Sequence, residues 1–181
     1  MVLINLTGIQ PTNFTLLADD AQPKEGEDIA VSVERLLSED GTFFDTAGGV
    51  GAIISTGTPY ADLDAVAEKL TFAVVEFPAF GDGRGFSLAV RLRKDFGFKG
   101  EIRATGPVIP DQALFLLRAG FDTVDVTAER KPAFEAALSR FPGFYQSDFG
   151  GQTSIAHARH LAGRRAAQTV ARTIEGHRKA S

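Results

Sequence analysis

Short apolar segments alternate regularly with helix-forming segments between residues 50 and 141, and this alternation constrains the fold most. Four apolar, β-branched segments predict strands at residues 50–55, 71–76, 101–104 and 123–126. A helical pattern follows each strand, and three of the helices have a proline at the predicted start: Pro59, Pro110 and Pro132. Strands that alternate with helices indicate an α/β fold with a parallel sheet of consecutive βα units. Four units make half of a (β/α)8 barrel or one open sheet, and the sequence leaves both possible.

The first 47 residues have a weaker pattern. Apolar runs predict short strands at residues 2–6, 14–17 and 29–33, and residues 34–39 either extend the third strand or form one helical turn. The glycines of residues 48–51 indicate a flexible hinge. We therefore assign residues 1–150 to one α/β domain, with N-terminal strands in 1–47 and βα repeats in 50–141. A half-barrel has exposed edges, so the N-terminal strands cover them or the protein is a homodimer.

Charge is distributed unevenly along the 181 residues. The formal net charge is -4, but residues 151–181 carry six basic side chains and one acidic one, which gives +5 there and −9 in residues 1–150. We call residues 151–181 the basic arm. Its thin apolar stripe predicts a long C-terminal helix with weak burial, and an unstructured tail is equally compatible with it. The acidic remainder argues against broad nucleic-acid binding, because phosphates require a basic face.

Several chemistries are excluded by composition. The chain has no cysteine, so it has no disulfides, thiolate nucleophile or cysteine-ligated metal cluster. No apolar run reaches the length of a membrane span, and the first 23 residues lack the basic residues of a signal peptide. These features predict a cytoplasmic protein that does not bind a membrane, and no motif indicates a cofactor. Residues 1–150 contain no histidine, which excludes a serine–histidine–aspartate triad there.

The most unusual loop spans residues 77–85 and leads into a predicted helix. Gly81, Gly83 and Gly85 alternate with Asp82 and Arg84. Backbone N–H groups at a helix start, together with an arginine, are suited to sulfate, phosphate or carboxylate. The functional interpretation is an oxyanion site with Gly83, Arg84 and Gly85 as contacts. The alternative is a tight turn in which Asp82 caps the helix and Arg84 pairs with a nearby acid, Glu76 or Asp111.

Other candidates lie near the predicted strand ends. Glu76 and Arg103 are placed to face each other at the mouth of a barrel, where Glu76 or Asp82 acts as acid or base and Arg103 holds an anionic substrate. A structural ion pair is the plainer interpretation. Asp111 and Gln112 lie at the predicted start of the next helix and are further candidate substrate contacts. Residues of these types at a helix start more often cap its free backbone N–H groups, and that is the plainer interpretation.

Two histidines, His157 and His160, lie three residues apart in the basic arm. That spacing permits a shared metal ion. Because the surrounding residues are basic and offer no third acidic ligand, we interpret both as solvent-exposed and predict no metal site.

The loop and the segment after it resemble a bacterial family of proteins of unknown function, family 934. The matching stretches are FPAFGDGRGFS at 77–87, LR at 92–93, GFKGEIRATG at 97–106, DQ at 111–112, LR at 117–118 and GFD at 120–122. Two departures stand out: the family usually has lysine in place of Ala79, and it tends to stop near Tyr145 and Gln146.

The resemblance implies a role in sulfur assimilation. Family members are often encoded beside sulfite reductase and labelled as oxidoreductases of sulfite reduction. Because this chain has no redox motif, we expect an accessory protein of assimilatory sulfate and sulfite reduction that acts with sulfite reductase and binds a sulfur oxyanion at the glycine loop. The alternative is a (β/α)-barrel-like enzyme that acts on a small anionic substrate with Glu76 or Asp82 as acid or base.

Overall fold

A computed structural model describes residues 1–140, which form one curled, mostly parallel half-barrel sheet with helices. The strands are β1 (Val2–Asn5), β2 (Thr15–Leu16), β3 (Asp28–Ser32), β4 (Gly49–Ser55), β5 (Phe72–Glu76), β6 (Glu101–Thr105) and β7 (Thr123–Val126). The helices are α1 (Val33–Ser38), α2 (Gly41–Thr46), α3 (Tyr60–Ala67), α4 (Arg84–Lys94), α5 (Ala113–Ala119) and α6 (Lys131–Ser139).

The strand order is β1-β7-β6-β5-β4-β3-β2, and every neighbouring pair is parallel except β1 with β7. The predicted parallel βα units are therefore confirmed, and the sheet is a half-barrel. The short strands β1 and β2 form its two edges within residues 1–140. In the N-terminal region, residues 34–39 contribute to helix α1, which Ser32 caps by accepting the backbone N–H of Arg35. Helix α2 was not predicted.

The helix boundaries follow the proline and glycine positions closely. Pro59 is the residue before α3, Pro110 opens a turn of 3-10 helix that leads into α5, and Pro132 is the second residue of α6. Gly120 ends α5 in the left-handed conformation, with φ 103°, as glycine does most readily.

One face of the sheet packs against the helices and forms the main core. Alternate strand residues point to this face because side chains alternate along a strand. Eight fully buried residues of this core are Ile54, Val75, Ile102 and Val124 from the sheet and Leu63, Leu92, Leu116 and Phe134 from the helices.

The other, concave face is partly covered by residues 6–14, which we call the strap. Phe14 of the strap stacks on Phe72 of β5, with ring centroids 4.7 Å apart. The backbone N–H of Thr12 donates to Glu101 Oε2 at 2.6 Å, and the carbonyl of Thr12 accepts from Arg103 Nη2 at 2.7 Å. The strap is thus fixed to β5 and β6 by both apolar and charged contacts.

The predicted hinge at residues 48–51 is wrong. Gly49 and Gly51 lie within β4, and a Cβ atom on Gly51 would come within 2.0 Å of the Phe72 ring. The Phe72 ring lies directly against the backbone of β4 and leaves no room for a side chain at Gly51, and the side chains of Asp28 and Thr71 do the same at Gly49.

The predicted long helix and the basic arm, including His157 and His160, lie outside the described residues. Within residues 1–140, no helix is long and apolar enough to cross a membrane.

Candidate functional site

A cleft of about 450 Å³ lies at the carboxyl ends of β4, β5 and β6, where parallel α/β proteins usually bind ligands. It is lined by Ser55, Thr56, Glu76, Phe77, Pro78, Thr105 and Gly106. The strand register places Ser55 beside Glu76 and Glu76 beside Thr105, so these three side chains form a row on one face of the sheet.

The chemical character of the cleft is set by one carboxylate and three hydroxyls. Of the described residues that line it, Glu76 alone is charged, and Ser55, Thr56 and Thr105 supply hydroxyl groups. Pro78 adds apolar surface, whereas the ring of Phe77 is buried in the main core. Gly106 allows the loop to turn tightly here: its φ is 103°, and a Cβ atom would come within 2.2 Å of the Phe77 carbonyl oxygen.

Asp82 and Arg84 form an ion pair beside this cleft. Arg84 Nε lies 3.0 Å from Asp82 Oδ1, Arg84 Nη2 lies 2.7 Å from Asp82 Oδ2, and the backbone N–H of Arg84 also donates to Oδ1. The hydroxyl of Thr56 donates to Asp82 Oδ2 at 2.9 Å, which ties the loop to the cleft lining. The Arg84 side chain is 65% exposed, whereas that of Asp82 is 13% exposed.

This pair determines what the loop can do chemically. The hydrogen bond from the Arg84 guanidinium holds the pKa of Asp82 well below its usual range, so Asp82 is an anion that resists protonation. The acid that pairs with Arg84 in the described structure is Asp82 rather than Glu76 or Asp111. An oxyanion that approaches Arg84 therefore competes with Asp82 for the guanidinium.

The three glycines of the loop differ in what they do. Gly83 directly precedes α4 with φ -76°, a conformation open to any residue, and a Cβ atom on Gly81 or Gly83 would meet nothing within 4 Å. Gly85 is buried in α4, and a Cβ atom there would come within 2.5 Å of the Phe77 ring. Gly85 thus lets the helix start pack on Phe77, while Gly81 and Gly83 are free of such a constraint.

Arg103 is not brought to Glu76. Its neighbour on β5 is Val74, two residues before Glu76, and its guanidinium donates to Glu101 Oε1 from Nε at 3.0 Å. Burial alone raises the pKa of Glu101, but hydrogen bonds from Thr123 and Thr12, together with Arg103, outweigh it and leave that pKa below its usual value. The prediction that Glu76 and Arg103 face each other is therefore wrong. Arg103 instead belongs to a structural ion pair that fixes the strap.

Asp111 and Gln112 have separate positions. The Gln112 side chain accepts the backbone N–H of Ile109 and donates to the carbonyl of Phe80 at 2.8 Å, so it joins the loops that follow β5 and β6. Asp111 is exposed and makes no hydrogen bond or ion pair with the part of the chain that the structure describes.

Thr56 and Thr105 were not among the candidate contacts predicted from the sequence. Each directly follows or ends a predicted strand, and this position was the available signal. No group of histidine or acidic residues within residues 1–140 has the arrangement of a metal site.

Comparison with known sequences places the chain in a family. Among curated proteins, none matches it in sequence. The family described as "Bacterial protein of unknown function (DUF934)" matches residues 51–156, which contain the cleft, the loop and β4 to β7. The match passes Tyr145 and Gln146, where the family's end was expected, and reaches the start of the basic arm. Because it covers more than half of the chain, this protein belongs to the bacterial DUF934 family.

Proposed function

We propose that the protein is a non-redox accessory protein of assimilatory sulfite reduction that acts with sulfite reductase and binds a sulfur oxyanion at Arg84. Membership of the DUF934 family supports the pathway, through the association with sulfite reductase that the resemblance implies. The observation that carries the binding site is the exposed Arg84 guanidinium at the start of α4, beside the cleft.

The anion would bind at a helix start with partial positive charge, opposite a planar guanidinium. Because Asp82 already accepts from Arg84 Nε and Nη2, the oxyanion either shares the guanidinium or replaces the carboxylate. The Thr56 hydroxyl, which now donates to Asp82, is available to the anion when Asp82 moves. The absence of cysteine in the chain supports a binding role, since the chain supplies no thiolate for electron transfer.

Thermal unfolding with sulfite, sulfate and phosphate tests the site. A ligand at a hundredfold over its Kd adds about 2.7 kcal/mol to the free energy of unfolding. We expect stabilisation by one sulfur oxyanion, loss of it in Arg84→Ala, and retention in Lys94→Ala, which removes a cation from the other end of α4. Equal stabilisation of wild type and Arg84→Ala would exclude this site.

Partner binding tests the other half of the proposal. Purified sulfite reductase from the same bacterium is immobilised, and association of the full chain is measured with and without sulfite. We expect measurable binding. The accessory role is contradicted if the two proteins do not associate and deletion of the gene leaves growth on sulfate unchanged.

A (β/α)-barrel-like enzyme acting on a small anion is the second candidate function. The specific observation in its favour is that Glu76 lines the cleft. Arg84 lowers the pKa of Asp82 and holds it as an anion, which makes Asp82 a poor proton acceptor and leaves Glu76 as the candidate acid or base. Conversion of a sulfur oxyanion by the wild type, lost in Glu76→Gln with binding intact, would establish this function over the accessory role.

The cytoplasmic location and the homodimer are also part of the proposal. The edges of the half-barrel, β1 and β2, support association because unpaired strand edges favour pairing with another chain. Sedimentation of the full chain at micromolar concentration gives a dimer if this is correct and a monomer if it is not.

A further inference from the structure

A carboxylate and a cation lie near one cleft, and two side chains link the cleft lining to the cation. Glu76 is part of the lining, and Thr56 is part of it as well. The Thr56 hydroxyl donates to Asp82, and Asp82 holds Arg84. The exposed cation of Arg84 thus lies two hydrogen bonds from Thr56, and the same cleft lining carries the exposed carboxylate of Glu76.

A simple oxyanion fits only part of this arrangement. Held by Arg84, it would lie at the mouth of a cleft in which Glu76 is the one charged group of the described lining. Arg103 does not offset that carboxylate, because its guanidinium is committed to Glu101 and to the Thr12 carbonyl. Like charges brought close together raise the free energy of the complex, so an anion alone gains from Arg84 but is repelled by Asp82, which already holds that guanidinium, and by Glu76.

We propose that the ligand is a small zwitterion, in which a primary ammonium group binds Glu76 and a sulfur oxyanion group binds Arg84. This inference rests on the proposed function and names its ligand class. The ammonium group turns the Glu76 carboxylate from a repulsive neighbour into a hydrogen-bond acceptor.

The remaining lining suits such a molecule. The hydroxyls of Ser55 and Thr105 flank Glu76 in the strand register and serve as further hydrogen-bond partners of the ammonium group. Pro78, which is exposed, offers apolar contact to a short carbon chain between the two charged groups. The cleft volume of about 450 Å³ lies in the range of small-molecule sites.

Calorimetric titration with three matched probes tests the inference: taurine carries both groups, ethanesulfonate carries the anion alone, and ethylamine carries the amine alone. We expect taurine to bind the full chain about tenfold more tightly than ethanesulfonate, as one additional charge-assisted hydrogen bond provides. Ethylamine should bind more weakly than taurine.

Two variants test which residue binds the ammonium group of taurine and which binds its sulfonate group. In Glu76→Gln, the affinity for taurine should fall to that for ethanesulfonate, whereas ethanesulfonate should bind as well as before or better. In Arg84→Ala, both sulfonates should lose affinity. The controls Glu68→Gln and Lys94→Ala alter exposed charges outside the cleft and should leave all three affinities unchanged. Equal thermal midpoints of the Glu76→Gln, Glu68→Gln and wild-type proteins show that folding is unaffected.

The outcomes separate this inference from the proposed function. Equal binding of taurine and ethanesulfonate by the wild type would overturn the zwitterion while the oxyanion site stands. Equal binding of taurine and ethylamine would overturn it as well, because the anion would then contribute nothing. If no sulfonate and no sulfite binds, the oxyanion site of the proposed function fails together with the inference.

Discussion

Two arginine–carboxylate pairs, built from the same groups two residues apart in sequence, have different roles in this protein. Arg103 pairs with Glu101 on β6, with side chains 11% and 2% exposed, and the nearest atoms lie 2.9 Å apart. Arg84 pairs with Asp82 at 2.7 Å, with side chains 65% and 13% exposed. The distances are nearly equal, and the exposure of the arginine is what differs.

The difference shows that burial, rather than pairing, separates a structural pair from a candidate binding group. Residues two apart on a strand share a face, so both side chains meet the strap. Glu101 accepts the backbone N–H of Thr12, and the Arg103 guanidinium lies 4.8 Å from the centre of the Phe14 ring. Removing one member of a buried pair leaves a charge without a partner, whereas an exposed pair contributes little. Arg84 is consequently free to exchange its partner for a ligand at small cost.

Substitution of Glu101 should give the largest effect. Glu101→Gln removes the carboxylate that pairs with buried Arg103, and we expect a loss of about 3–5 kcal/mol in the free energy of unfolding. Urea denaturation at pH 7 measures it. Asp82→Asn is the matched variant in the exposed pair and should cost less than about 1 kcal/mol. Similar losses in the two variants would refute the distinction drawn between the pairs.

Alanine substitutions at two glycines of the loop test whether the contact of Gly85 with Phe77 restricts the start of α4. In Gly85→Ala the new methyl group meets the buried Phe77 ring, and we expect a loss of about 1–3 kcal/mol from overpacking. Gly83→Ala has space and an ordinary φ, so its unfolding free energy should stay the same or rise by roughly 0.5 kcal/mol. Thermal denaturation distinguishes them, and equal stability of both variants would contradict the contact with Phe77.

Acidification should weaken the buried pair. Because the pKa of Glu101 is lowered in the folded protein, its stabilisation is fully present above the unfolded-state pKa and is lost as pH falls through the folded-state value. The free-energy difference between wild type and Glu101→Gln should therefore shrink progressively below roughly pH 5. Burial raises the pKa of Asp125, and the charge of Glu101 raises it further, so both proteins are compared in an Asp125→Asn background. A difference that stays constant down to pH 3 would contradict this.

Arg84→Ala should give the smallest effect on folding. Its ion pair is exposed, so we expect a change below about 1 kcal/mol in the free energy of unfolding. Chemical denaturation of this variant beside Lys94→Ala measures it. A loss comparable to that of Glu101→Gln would show that Arg84 is structural and would remove the main argument for a ligand there.

The sequence predicted those parts of the fold that depend on local pattern. Strands β4 to β7 are short apolar runs bounded by turns, and each is present close to its predicted position. The prediction of a flexible hinge at Gly51 was wrong because the residue that packs against it, Phe72, lies 21 residues away in the sequence, and no local pattern indicates that contact. A glycine inside a strand pattern is nevertheless a signal of close backbone approach, and it was available at Gly49 and Gly51.

The candidate site was predicted only in part for the same reason. The glycine loop and Glu76 were found because both follow predicted strands. The partner of Arg103 was missed, although Glu101 stands two residues before it on the same strand. The strap contact from Thr12 spans 89 residues, and pairings of this range depend on the assembled fold.

The pairing of the first strand with the last one has a kinetic consequence. Val2 of β1 lies opposite Val126 of β7, whereas β3 to β7 join neighbours in chain order. Closing so long a loop costs chain entropy that local pairings do not, and contacts distant in sequence slow folding. During synthesis, β1 therefore cannot pair with β7 until residue 126 has left the ribosome. Until then, the strap that follows β1 lacks this anchor at its N-terminal end.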